Sequence, residues 1–85
     1  MKPQKEIIDG ILTLYRVAGQ GDYETDYENL KKAFYALAEE CKISVTKTKR
    51  IWGIVSDIYN QEHYGILPND PLSCLEKDLT SYFSM

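Results

Sequence analysis

Apolar residues recur every three or four positions through four successive stretches of this chain, and each stretch is bounded by residues that start or stop a helix. That period puts them on one face of an α-helix, whereas a half-buried strand needs strict alternation. In the first stretch Ile7, Ile8, Ile11, Leu12, Tyr15 and Ala18 share a face. Pro3 suits its first turn and Gly19-Gln20-Gly21 ends it. Gly10 sits inside this helix at a cost of about 1 kcal/mol relative to alanine, and leaves bare backbone for a neighbour to pack on. In the second stretch Leu30, Ala33, Phe34, Leu37, Ala38 and Cys41 line up. Thr25 and Glu28 have the spacing of a capping box, so a helix over residues 26–41 is expected. The third helix starts at Ser44 or Thr46 and buries Ile51, Ile54, Val55 and Ile58, with Trp52 and Tyr59 on its flank. It frays over residues 61–63, before Gly65. The fourth opens on Asp70-Pro71, an acceptor for free amides followed by a residue that has none. Leu72, Leu75, Leu79 and Phe83 form its stripe, and it ends at residues 82–85. Four helices on short links favour antiparallel neighbours. The expected architecture is all-α, an antiparallel four-helix bundle, with residues 1–85 forming a single helical domain.

The chain has 85 residues, which leaves room for one core. Size scaling gives a folded accessible surface of roughly 5,200 Å². Stability of about 4–13 kcal/mol follows from the usual figure per residue. A composition of 44% apolar and 27% charged residues is globular and argues against a disordered chain. The net charge of −3 argues against a surface that clings throughout to nucleic acid. That charge is unevenly placed. Residues 42–50 hold Lys42, Lys47, Lys49 and Arg50 and no acid, a basic island between two acidic segments. Cys41 and Cys74 form no CxxC and no zinc spacing, and are expected as reduced, buried thiols. The opening residues 1–10 are polar and no apolar run is long enough to span a bilayer, so a cytoplasmic protein without a transmembrane segment is expected.

Residues 37–51 resemble a helix-turn-helix DNA reader. Ala38 would be the small residue where the helices cross, and Ser44 and Thr46 would open the recognition helix. Lys47 and Arg50, three apart, would share its exposed face with Lys49 nearby, reaching phosphate or a guanine edge. The sequence departs from that pattern at two places. Lys42 stands where the turn has glycine, and Thr48 stands where the second helix buries Val or Ile. Both helices are also longer than the usual motif.

The C-terminal half carries a different resemblance. Asp57-Ile58-Tyr59-Asn60-Gln61-Glu62-His63-Tyr64 runs through Gly65-Ile66-Leu67-Pro68 into the helix capped by Asp70. This order is similar to that of the immunity proteins of class II bacteriocins, the enterocin A type in particular. The Ile11-Leu12-Thr13-Leu14-Tyr15 run, the polar loop over residues 19–23 and the long second helix fit the same plan. The resemblance spans residues 6–83 and is one of layout. It implies a cytosolic four-helix bundle that protects its producer at the inner face of the membrane, once the secreted peptide has engaged a mannose-type phosphotransferase permease. It implies no catalysis and no cofactor. It places recognition in the C-terminal half, by position at His63, Tyr64, Ile66, Leu67, Tyr82 and Phe83.

The chain has seven tyrosines. Tyr15, Tyr35 and Tyr59 are expected at the rim of the core with their hydroxyls in water. Tyr23 and Tyr27 flank the expected cap. Tyr64, Tyr82 and Phe83 lie at segment ends, where an exposed aromatic favours a partner surface. His63 is the single histidine; a general base needs a nucleophile or an orienting acid, which a sequence does not place beside it, and the adjacent Glu62 is expected to point elsewhere on a helix. Asp22 and Asp26 lack the glycine and terminal glutamate of a calcium loop. There is no phosphate-binding loop, dinucleotide fingerprint or nucleophile elbow. No catalytic residue, metal or cofactor is therefore expected. The expected function is a non-enzymatic protein-binding module of the bacteriocin-immunity kind. Two alternatives stay open: a helix-turn-helix regulator of phage or mobile-element type, and an antitoxin-like or anti-defence inhibitor of another protein.

Overall fold

In the computed structural model, which describes residues 3–18 and 22–84, the chain forms four α-helices. They are α1 (Gln4–Val17), α2 (Tyr23–Glu40), α3 (Val45–His63) and α4 (Pro71–Phe83), and no strand occurs among the described residues. Helix α1 packs on α2 and α4, and α3 packs on the same two, so the helices sit in a square in chain order. The accessible surface, 5529 Å², is close to the value expected from size alone.

The caps explain where each helix begins. Helix α2 starts three residues earlier than the capping-box spacing predicts, because Asp22 and not Thr25 is the cap. One carboxylate oxygen accepts from the Thr25 backbone N–H at 2.8 Å and the other from the Thr25 hydroxyl at 2.9 Å. Those bonds hold the Asp22 carboxyl below the usual carboxylate range, the backbone bond most of all. A charged acceptor at the positive end of a helix dipole outcompetes a hydroxyl three residues on. In α3 the cap is Ser44, whose Oγ accepts from the Lys47 N–H. Asp70 caps α4 through the Ser73 N–H at 3.0 Å, with Pro71 in the first turn. Helix α1 follows Pro3 with no side-chain cap and ends at Val17, with Ala18 already extended. The glycine stop at residues 19–21 lies outside the described residues.

Helices α2 and α3 end alike. After α2, the Lys42 N–H donates to the Glu39 carbonyl and the Ile43 N–H to the Ala38 carbonyl. After α3, Gly65 donates to Glu62 and Ile66 to Gln61. These paired bonds are the Schellman arrangement, which needs a residue with positive φ just past the helix. Gly65 supplies it at φ 70°, and Lys42 supplies it at φ 59°. The lysine that looks misplaced in the sequence thus adopts the glycine conformation.

The expected apolar stripes meet in one core. Ile7, Ile11, Phe34, Ile51, Val55, Leu75 and Leu79 are fully buried. Trp52, expected on a flank, is buried as well, ringed by Tyr27, Phe34 and Tyr35. Leu37 lies over the bare backbone of Gly10, where an added Cβ would stand 3.3 Å from a Leu37 methyl. Neither cysteine is in a disulfide; Cys41 is buried and Cys74 half-buried.

Candidate functional site

Up-down-up-down winding brings four helix ends together: the C-termini of α1 and α3 and the N-termini of α2 and α4. Tyr15 lies in the last turn of α1, Tyr23 opens α2, and Tyr59, Glu62 and His63 lie in the last turns of α3. Together with Asp70, Pro71 and Leu72 at the start of α4 they line a cleft of about 500 Å³.

The tyrosine hydroxyls in this cleft are bonded to protein groups, contrary to the expectation that they reach into water. Tyr15 donates to Glu62 Oε1 at 2.6 Å, across from α1 to α3. Tyr59 donates to the Tyr23 carbonyl at 3.2 Å, and Tyr23 donates to Asn60 Oδ1. Burial, and then the bond and charge of Glu62, push the Tyr15 phenol far above its ordinary range. Tyr59 is raised too, by burial first and next by the charge of Asp26. Tyr15 is thus a neutral donor throughout the physiological range, and it fixes where the Glu62 carboxylate sits.

The rings pack on one another as well. Tyr23 stacks on His63 with centroids 4.3 Å apart and 35° between planes. Tyr59 touches Tyr15, Tyr23 and Tyr27. His63 meets Tyr64 edge to face at 5.2 Å. Outside this cluster the bundle end exposes large apolar side chains: Tyr64 at 72%, Ile66 at 66% and Val17 at 69%.

The six residues assigned to partner binding by resemblance do not form one surface. His63, Tyr64 and Ile66 are exposed at the cleft end, with Leu67 half-buried against the core. Tyr82 and Phe83 lie at the far end of α4, 12 residues of helix and about 18 Å away. There the Phe83 carbonyl accepts from the Gln4 side chain. Both aromatics are half-buried against the core rather than exposed, because α1 and α3 flank the end of α4. Glu62, expected to point away from His63, lines the cleft alongside it.

Ser44, Thr46, Lys47, Lys49 and Arg50 are all exposed at the opposite end of the bundle. Thr48 is buried, its hydroxyl donating to the Ser44 carbonyl at 2.8 Å, so threonine fills the place of the missing Val or Ile. The helix pair itself has another geometry. Helix-turn-helix elements cross at about 90–120° and separate away from the turn. Here α2 and α3 remain in contact from the turn to Tyr23 and His63, over the full length of α2, about 27 Å. This is an antiparallel αα-hairpin.

Among the described residues no group of three or more His, Cys, Asp or Glu could hold a metal ion, and no helix is long and apolar enough to cross a membrane. Comparison with protein-family models, with curated proteins and with solved structures returned no match for this chain.

Proposed function

We propose that this chain is a non-enzymatic protein-binding bundle of the bacteriocin-immunity kind, acting on the cytosolic side of the membrane. Its partner docks at the end formed by the α3–α4 link. The observation that carries this reading is the exposure of Val17, Tyr64 and Ile66 at the bundle end that holds the packed aromatic cluster. Large apolar side chains are costly to leave in water, and gathered at one end of a small bundle they mark an interaction surface. Aromatic residues are favoured anchors at protein interfaces, and Tyr64 is exposed here with its ring edge to face on His63. On this reading the cleft is a recognition surface, with its tyrosine hydroxyls engaged as donors and His63 stacked on Tyr23.

The test is protection. Sensitive cells expressing the chain are challenged with a panel of class II bacteriocins. The expected result is a raised inhibitory dose for at least one peptide. That protection is lost in Tyr64→Ser/Ile66→Ser while helicity and the unfolding midpoint stay as they were. No protection against any member of the panel, or protection that survives the double substitution, removes the reading.

A further inference from the structure

The cleft is lined by the rings of Tyr15, Tyr23 and Tyr59, by the imidazole of His63, by three carboxylates, Glu62, Asp26 and Asp70, and by one guanidinium, Arg16. Two further features favour positive charge there. Helices α1 and α3 both point their negative C-terminal ends at this end of the bundle. The positive ends of α2 and α4 are met by the side chains of Asp22 and Asp70, so Asp70 is spent on its own helix and Glu62 is the carboxylate the cleft offers a ligand. The bond from Tyr15 occupies one oxygen of Glu62, and a carboxylate has acceptor sites to spare. Phenol faces attract cations, and the alkyl stem of a long basic side chain packs on the same rings.

We infer that this cleft seats a cationic side chain, lysine or arginine, presented by a basic segment of a partner polypeptide. The inference rests on the protein-binding reading and deepens it by giving the partner a charge. An anionic ligand meets an excess of like charge in the cleft. An uncharged apolar one strips water from Glu62 and gives nothing back.

The probe is an acetylated hexalysine peptide, titrated into the isotope-labelled full chain near neutral pH and followed by NMR. Its control is the same peptide with every lysine Nε-acetylated, which keeps the stems and removes the charge. Saturable shifts confined to the last turn of α3 and the start of α2 are expected with the first peptide and not with the second. Glu62→Gln keeps an acceptor for Tyr15 and is expected to weaken binding about tenfold, as loss of a charge-assisted bond does. Asp57→Asn changes net charge equally on an exposed position outside the cleft, and is expected to bind like the unaltered chain. An unchanged unfolding midpoint in both variants ties the difference to the site. Absence of saturable shifts, equal binding of the acetylated peptide, or equal weakening by both substitutions overturns the inference. A chain that binds the peptide but gives no protection in cells supports the cleft and retires the immunity reading. One that protects without binding the peptide retires the cleft alone.

Discussion

Tyr15 is the one tyrosine that the fold buries, and its hydroxyl joins α1 to α3 through Glu62. Tyr15→Phe removes that donor and is expected to cost about 1 kcal/mol, read by urea unfolding at neutral pH. The same residue sets a pH dependence. Its phenol is raised above the ordinary 10.0, so the folded chain keeps a proton that the unfolded chain releases. That contribution is fully present below pH 10 and is lost as pH rises through and beyond it. Urea titrations at increasing alkaline pH should show falling stability, with a shallower fall in Tyr15→Phe. Tyr23 and Tyr59, also raised, act in the same direction. Lys42 gives the opposite sign of effect. A side chain at φ 59° is strained where glycine is not. Lys42→Gly is expected to stabilise the fold by about 1 kcal/mol, measured the same way. Neither interaction was legible from local sequence. Tyr15 and Glu62 are far apart in the chain and meet only because the bundle closes. The conformation of Lys42 follows from two backbone bonds that the sequence does not signal with glycine.

At the level of single helices, pattern and chemistry agreed almost everywhere, since apolar period and caps act within a turn or two. The start of α2 is the exception, and it shows which rule wins. Two acceptors three residues apart competed for the same role, and the charged one prevailed. That shift puts Tyr23 on the helix instead of before it, and so supplies one wall of the cleft. Glycines inside helices test the packing of these elements. Nothing lies within 4 Å of a Cβ added at Gly53, in the interior of α3. Gly53→Ala is therefore expected to add about 1 kcal/mol. Thermal denaturation should show this as a Tm higher by about 4–8 °C, the usual shift for a domain of this size. At Gly10 the same gain in propensity is offset by the Leu37 methyl at 3.3 Å. Gly10→Ala should raise Tm by less than Gly53→Ala, and a larger rise would mean that Leu37 moves aside without loss. The cleft was within reach of the sequence at this scale. Once α1 and α3 run one way and α2 and α4 the other, residues at positions 15, 23, 59 and 63 must share an end. What no pattern of residues supplies is which rings stack and which hydroxyl finds which acceptor.

Across the whole molecule, the aromatic cleft and the basic island lie at opposite ends, and exposed apolar side chains occur at both, Val45 beside the basic turn. The aromatic cleft with its three carboxylates is at one end, and Lys42, Lys47, Lys49 and Arg50 are at the other, where α2 turns into α3. This separation makes the DNA reading decidable without disturbing the cleft. Four cations at the turn of an antiparallel hairpin can neutralise about four phosphates at most, a salt slope near −3.6 for duplex DNA. A recognition helix also has to project from its neighbours to lie in the major groove. Helix α3 does not, because α2 and α4 both pack against it. With a net charge of −3 the rest of the surface opposes the approach of a polyanion. Titration of fluorescent duplex DNA at two salt concentrations should therefore give no saturable binding, even at the lower one. Binding with a slope near the four-phosphate value, abolished by Lys47→Ala/Arg50→Ala and untouched by Glu62→Gln, would transfer the functional surface to the basic end. The exposed apolar side chains of Val17, Tyr64 and Ile66 would then serve some contact other than the one that defines the protein's activity.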